Sequence, residues 1–170
     1  MTAKLDNIDA LELLGDGTGF HDELCAMIEN TMIFKELSPR EVDTLTHYVR
    51  AYKLDEGEIL FREGEKGTFM CFLVEGKIDI LKKDQDSRPK KVTTIRPGRT
   101  IGEMSLLDEM PHSATGIAAE PVRLVMLTRS GLDNLTAEHA GLANRLLFEI
   151  ARVLSLRLRQ TTGVLADYIN

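Results

Sequence analysis

The sequence IGEMSLLDEMPHSAT, at residues 101–115, lies between two segments rich in β-branched and apolar residues. Its MSLL portion, residues 104–107, predicts a single helical turn. Backbone N–H groups at a helix N-terminus are unpaired and carry partial positive charge, so they bind anions. Gly102 lets a ligand approach the backbone closely, and the Glu103 carboxylate can accept hydrogen bonds from hydroxyl groups. The stretch therefore predicts a loop that binds a small anion.

Short strand-like segments surround this loop and are separated by turns that contain glycine. The predicted strands are residues 59–61, 69–75, 77–82, 91–96, 114–119 and 122–127. The charged residues 84–90 predict a hairpin loop between two of them. Many short strands joined by such turns are typical of a jelly roll. We therefore predict a mainly β fold with flanking α-helices, a double-stranded β-helix or jelly-roll barrel over about residues 50–128.

Helices are predicted before the barrel. Apolar residues recur at helical spacing from Asp22. The sequence SPRE at 38–41 combines a capping box with a proline suited to the first helical position. Apolar spacing continues this second helix to Val49. Both helices are expected to pack on the barrel.

Residues 1–20 are expected to form an N-terminal extension to a single domain at 21–170. Within the extension, Ile8, Leu11 and Leu14 predict one short amphipathic helix, which a glycine-rich stretch ends.

The sequence after the barrel is helical from Ser130. Leu132 and Leu135 indicate a short helix, and a long helix is expected over about residues 138–168. Apolar residues cover about 200° of the long helix, whereas one buried stripe needs about half of that. Arg157 interrupts this apolar arc. The excess predicts one contact face on the barrel and another on a second subunit, and therefore a homodimer formed through the C-terminal helix.

Charge and hydropathy exclude several kinds of partner. Asp and Glu number 27 against 21 Lys and Arg, for a net charge of −6, whereas nucleic-acid-binding domains normally present a basic face. The longest apolar run, residues 69–74, is much shorter than the roughly 20 residues that span a membrane. The first residues lack the apolar segment of a signal peptide. We expect a cytoplasmic protein that binds neither DNA nor membrane.

Motifs for catalysis and metal binding are missing. Cys25 and Cys71 are far apart and show no CxxC spacing, so they are predicted to be reduced thiols. The four histidines show no HExxH or paired spacing for zinc. Residues 64–68 lack the spacing of a P-loop, and no serine lies in a GxSxG motif. The sequence predicts no enzyme activity, no metal and no cofactor.

Residues 101–115 resemble the phosphate-binding cassette of cyclic-nucleotide-binding domains, the family of bacterial catabolite activator proteins and protein kinase A regulatory subunits. In that family the cassette reads Gly-Glu, a small helix, then Arg followed by Ser or Thr and Ala. GEILFREGE at 57–65 and MCFLVEG at 70–76 also resemble it, and the resemblance covers about residues 34–165. It implies a non-catalytic sensor that binds cyclic AMP or cyclic GMP and signals through its C-terminal helix to an unidentified protein.

The resemblance assigns roles to the first half of the cassette. Glu103 matches the residue that holds the ribose 2′-hydroxyl. Gly102, Met104 and Ser105 match the turn whose backbone amides meet the cyclic phosphate.

The second half of the cassette departs from the family pattern at one position. His112 stands where the family has arginine, and Ser113 and Ala114 match the two residues that follow that arginine. Arginine is always charged and presents a rigid fork of donors, whereas histidine is mostly neutral at pH 7. Loss of this contact costs about 2–4 kcal/mol, or about 30- to 1000-fold in affinity. The substitution leaves two alternatives open: a ligand-free interaction or scaffold module, and a module for another anion such as cyclic di-GMP.

The long helix carries the last residues that the resemblance singles out. Thr161 and Thr162 match a Thr-Ser pair that contacts adenine in the catabolite-activator branch. They are equally well explained as tolerated polar positions on a dimerising helix. No helix-turn-helix pattern follows this helix, so we expect a module without the DNA-binding domain of those activators.

Overall fold

Nine strands and five helices make up the part of the chain that the computed structural model describes, residues 8, 11–17, 19–29, 34 and 36–168. The strands are β1 (Glu12–Asp16), β2 (Val49–Leu54), β3 (Ile59–Phe61), β4 (Phe69–Glu75), β5 (Ile78–Lys83), β6 (Pro89–Ile95), β7 (Thr100–Ile101), β8 (Thr115–Ala118) and β9 (Val122–Thr128). The helices are α1 (His21–Glu29), α2 (Pro39–Thr46), α3 (Glu103–Asp108), α4 (Arg129–Glu138) and α5 (Ala140–Tyr168).

The strands form two antiparallel sheets. Five strands lie in the order β1-β2-β9-β4-β7, and four lie in the order β3-β8-β5-β6. Apolar side chains from both sheets, including Phe61, Leu73, Ile78 and Leu124, form one buried core. This arrangement confirms the predicted jelly-roll barrel with flanking helices.

The central strands of the five-stranded sheet, β4 and β9, are buried on both faces. In β4, Phe69, Cys71 and Leu73 contribute to the core of the barrel. Met70 and Phe72, which alternate with them, contribute to a second core shared with the helices. Because successive side chains of a strand point to opposite faces, one strand joins both cores. This explains the unbroken apolar run in β4.

The start of α2 follows the sequence prediction, whereas its end does not. Ser38 and Glu41 form the capping box, with a proline at the first helical turn. The sequence predicted that the helix continues to Val49. Instead the helix ends at Thr46, and Val49 is the first residue of strand β2. Strand β2 pairs with β9 over six residues and buries Val49 among the helices. This long-range pairing overrides the local apolar spacing.

The sequence prediction of a helix around Ile8, Leu11 and Leu14 is wrong for the residues of this segment that the structure describes. Leu14 lies in β1, which pairs with the otherwise open edge of β2, and Glu12 bonds to Lys53 across the pair at 2.8 Å. Residues 1–7, 9, 10 and 18 of the predicted extension lie outside the described part of the chain. The division into an extension and one domain stays a prediction.

The C-terminal helices match the sequence prediction closely. Leu132 and Leu135 are buried in α4, and α5 begins at Ala140, two residues after the predicted start. The first half of α5 packs into the helical core through Leu146 and Ile150. Among the described residues, no helix has the length and apolar character required to cross a bilayer.

The Cys71 thiol gives a direct test of the barrel core. Its exposed fraction is 1%, and burial, with a further contribution from the negative charge of Glu103, raises its pKa well above the usual range. We expect the Cys25→Ser variant to react with a thiol reagent at least about 1000-fold more slowly than the unfolded chain, because Cys71 must first be exposed. The Cys71→Ser variant, which keeps half-buried Cys25, is the control. Rapid labelling of native Cys25→Ser would contradict this packing.

Candidate functional site

The cassette begins where β7 ends, at a sharp change of backbone direction. Gly102 adopts the left-handed conformation, with φ of 81°, and precedes α3. A Cβ atom there would lie 2.8 Å from the carbonyl oxygen of Phe69. Both the conformation and the close contact therefore require glycine. The turn places Glu103, the first residue of α3, beside the five-stranded sheet.

Glu103 is a buried carboxylate whose two oxygens differ. Its exposed fraction is 2%, and Oε1 accepts a hydrogen bond from the guanidinium of Arg157 on α5. The same guanidinium donates to the Thr100 carbonyl oxygen at 2.6 Å and lies 3.2 Å from the Thr100 hydroxyl oxygen. Oε2 has no hydrogen-bond partner within the described part of the chain. The carboxylate therefore has one oxygen bonded to Arg157 and one that is left unsatisfied within the described part of the chain.

Arg157 is the site residue that sequence reasoning missed. By sequence alone, Arg157 is only an interruption in the apolar arc of the long helix. The structure explains the interruption, because Arg157 lies next to the barrel and bonds to both β7 and α3 through Thr100 and Glu103. A charged residue inside an apolar helical arc is a usable signal, since a buried charge requires a partner.

His112 is packed into the wall of the site. It is buried, and its ring stacks on Phe61 with a centroid distance of 4.2 Å and an interplanar angle of 20°. Its Nδ1 lies 3.3 Å from the hydroxyl oxygen of Ser105. A Cβ atom at Gly67 would lie 2.3 Å from the Ser105 Cβ and 2.7 Å from the His112 Cε1. The missing side chain of Gly67 is therefore what allows His112 and Ser105 to pack here.

The other predicted cassette residues are less buried than Glu103. The side chain of Met104 is exposed, as is Ser113, whose carbonyl oxygen accepts a hydrogen bond from Lys82. Ala114 is half-buried. The structure thus gathers four of the predicted residues around one buried site. They are Gly102, Glu103, Ser105 and His112.

The two threonines of α5 are exposed. The hydroxyl of Thr161 donates to the carbonyl oxygen of Arg157, and that of Thr162 donates to the carbonyl oxygen of Leu158. Thr161 lies one turn after Arg157 and therefore on the same side of the helix. Its predicted adenine contact stays a prediction.

A concave region lies away from the cassette. It has a volume of about 320 Å³ and is lined by the end of β1, the start of β2, the end of β9 and the start of α4. None of the predicted site residues lines it. We assign the site by chemistry rather than by cavity size, because the cassette holds the buried carboxylate with a spare acceptor.

Comparison with known proteins agrees with this geometry. Residues 52–139 match the family described as the cyclic nucleotide-binding domain. The chain therefore belongs to the cyclic nucleotide-binding domain family. The CRP-like cAMP-activated global transcriptional regulator of Mycobacterium tuberculosis is similar, with 31% identity over 137 residues. Those residues are 81% of this chain and 59% of that protein, so the chain spans about three fifths of the relative's length.

Two solved structures extend the similarity to the fold. A cyclic nucleotide-binding domain from Methylobacillus flagellatus KT superposes with a TM-score of 0.83 at 25% identity, covering 97% of this chain and 93% of that one. The catabolite activator protein of Thermus thermophilus superposes with a TM-score of 0.70 at 28% identity, covering 79% and 61%. The domain is regulatory rather than catalytic, as the sequence predicted.

The two partners of the buried ion pair are expected to contribute unequally to stability. Arg157→Met leaves the Glu103 carboxylate buried without its cation, which we expect to lower the free energy of unfolding by about 2–4 kcal/mol. Glu103→Gln leaves a guanidinium whose side chain is 34% exposed and can regain water, so we expect a loss of about 1 kcal/mol. Urea unfolding of the nucleotide-free protein measures both.

Arg152→Met provides the matched control, because Arg152 lies on the same helix with an exposed side chain and pairs with half-buried Glu149. Its expected cost is below about 0.5 kcal/mol. Equal losses for Arg157→Met and Arg152→Met would show that the buried pair does not hold α5 to the cassette.

Proposed function

We propose that this domain is a sensor for a cyclic nucleotide, in which Glu103 accepts a hydrogen bond from a ribose hydroxyl. The observation that carries the proposal is the Oε2 atom of Glu103, which is buried and lacks a hydrogen-bond partner among the described residues. An unsatisfied buried acceptor costs about 1–3 kcal/mol. A ligand hydroxyl that donates to this atom removes that cost. The carboxylate is therefore matched to a sugar rather than to an isolated anion.

Cyclic AMP is the first ligand to test, and cyclic GMP is the second. The relative from Mycobacterium tuberculosis is named as cAMP-activated, which supports this order. In the proposed complex the phosphate lies beside Gly102, Ser105 and His112, where a histidine replaces the arginine of the family cassette. We therefore expect weaker binding than an arginine would provide.

Arg157 provides the route from the ligand to the long helix. It bonds to the same carboxylate that is proposed to hold the ribose. If α5 can take two arrangements relative to the barrel, a ligand that binds one of them more tightly shifts the equilibrium toward that arrangement. We propose that ligand binding changes the position of α5 and thereby its binding to a partner protein.

The exposed half of α5 supports a homodimer. Five residues of this helix recur at alternating intervals of three and four, the spacing of a coiled-coil seam. They are Ala151, Leu154, Leu158, Thr161 and Leu165. Within this seam Leu158 and Leu165 are 69% and 56% exposed in the single chain. We propose that the seam pairs with its copy in a second subunit, and that this regulatory dimer is cytoplasmic.

A second candidate function is a ligand-free interaction module. The observation that favours it is the stacking of His112 on Phe61, which fills the region of the cassette arginine with packed rings. In this case the barrel is a scaffold, and α5 contacts its partner without a nucleotide.

Calorimetric titration with cyclic AMP and cyclic GMP distinguishes the two functions. We expect the native protein to bind, and Glu103→Gln to weaken binding by about 10- to 100-fold through loss of a charged acceptor. Glu109→Gln, an exposed carboxylate at the end of α3, is the control and should bind like the native protein. If millimolar nucleotide gives no heat of binding and does not raise the melting temperature, the ligand-free scaffold function is favoured.

The variant His112→Arg tests whether the remaining site is competent. Restoring a charged, bidentate donor should tighten binding by about 30- to 1000-fold. Circular dichroism and the melting temperature check that the variant folds. A folded variant that still binds no nucleotide would contradict the sensor proposal. Mass spectrometry of small molecules released from the denatured native protein tests for a different anion, such as cyclic di-GMP.

The dimer proposal has its own test. Leu158→Glu together with Leu165→Glu places charge in the seam, and we expect the protein to become monomeric by sedimentation velocity, with unchanged helix content. Arg159→Gln together with Gln160→Glu gives the same change in net charge outside the seam and should leave the dimer intact. A native protein that sediments as a monomer at all concentrations would rule out this dimer.

A further inference from the structure

The basic residues of this acidic chain are concentrated in one hairpin and the loop after it. Residues 77–99 contain eight Lys or Arg and three Asp, a net charge of +5. The other 147 residues contain 13 Lys or Arg and 24 Asp or Glu, a net charge of −11. This segment comprises β5, β6 and the connection to β7. We call it the basic hairpin.

Half of the cations in the basic hairpin have an acidic partner. Four are paired, namely Lys77 with Glu120, Lys82 with Glu63, Lys90 with Asp84 and Lys91 with Asp79. The other four are exposed and form no ion pair with any described residue. They are Lys83, Arg88, Arg96 and Arg99. Four positive charges therefore face solvent without neutralisation.

The same hairpin ends a β-sheet. Strand β6 pairs with β5 on one side, and no strand of the described chain pairs with its other side. Residues 89–93 of this edge strand are all exposed. An exposed edge carries a row of backbone N–H and C=O groups that can pair with another extended chain. The unpaired cations flank this open edge in sequence, with Lys83 and Arg88 before β6 and Arg96 and Arg99 after it.

We propose that the basic hairpin binds an extended, acidic segment of a partner protein, which adds a fifth strand to the four-stranded sheet along the open edge of β6. Backbone pairing requires a polypeptide, which nucleic acid and lipid do not provide. Lysines on an edge strand discourage the addition of neutral or basic strands. They favour a strand that carries carboxylates, since opposite charges on neighbouring strands attract.

The alternatives fit the hairpin less well. Insertion into a membrane surface needs several exposed apolar side chains, and Val92 is the exposed large apolar residue of β6. Binding to nucleic acid needs a charge excess across the face of a domain, whereas the rest of this chain is strongly acidic. The edge and the charge together therefore select an acidic peptide.

Two synthetic peptides labelled with fluorescein separate strand addition from charge attraction. The first, Glu-Thr-Glu-Val-Glu-Thr-Glu-Val-Glu, has residues that favour strands between its carboxylates. The second has the same five Glu residues, but Gly and Pro replace Thr and Val. We expect the first to bind the full chain, measured by fluorescence anisotropy at low ionic strength, and the second to bind at least about ten-fold more weakly. Equal binding of both would overturn strand addition.

Charge variants test which surface is used. Lys83→Glu with Arg88→Glu should weaken binding of the first peptide by about ten-fold or more. Arg40→Glu with Arg50→Glu is the matched control, because it makes the same change in net charge at exposed arginines outside the hairpin. Melting temperatures verify that both variants fold. Equal weakening by the two pairs would overturn the assignment to the hairpin.

Amide hydrogen exchange provides a readout of the edge itself. The first peptide should slow exchange at alternate amides of β6, since alternate N–H groups of a strand point to the same edge. Binding without this protection would overturn the proposal. Duplex DNA and vesicles rich in phosphatidylserine are tested in the same way. If one of them binds, the peptide does not, and the Lys83 and Arg88 changes reduce that binding, the surface belongs to that partner and the proposal is overturned.

Discussion

Glu103 is a carboxylate buried away from water, and the arrangement of the site follows from the need to stabilise it in that buried position. Removing a charge from water is costly unless a counter-charge and hydrogen bonds replace the solvent. Arg157 supplies the counter-charge from a helix 54 positions along the chain. The position of α5 and the state of the cassette are therefore linked by one ion pair. Any ligand that donates to the remaining oxygen of Glu103 acts on that link.

The two-core construction makes this link stiff. The five-stranded sheet lies between the barrel core and the helical core, so β4 and β9 contribute side chains to both. Packed interiors resist small displacements because they contain few voids. The first half of α5 is held in the helical core, while Arg157 lies beyond it, next to β7. Rearrangement is therefore expected in the second half of the helix rather than in the sheet.

The basic hairpin contacts the C-terminal end of the cassette, whereas Arg157 contacts its N-terminal end. Lys82 donates to the carbonyl oxygen of Ser113 and pairs with Glu63, so β5 is tied to the chain that follows His112. The side chain of Lys82 and the amide of Lys83 both donate hydrogen bonds to Glu63, which lowers the pKa of that carboxyl group. The site thus lies between a helix with an exposed apolar seam and a hairpin with an exposed basic edge.

Local sequence determined the features that depend on neighbouring residues. The capping box of α2 depends on Ser38 and Glu41, the turn before α3 depends on Gly102, and the strands of the barrel follow from short apolar segments between turns. Tertiary structure decided the features that depend on distant partners. Val49 and Leu14 are in strands because β9 and β2 offer hydrogen-bonding edges, and Arg157 is accepted in an apolar helix because Glu103 meets it there. Such pairings join residues dozens of positions apart, and apolar periodicity along the chain carries no information about which residues will meet.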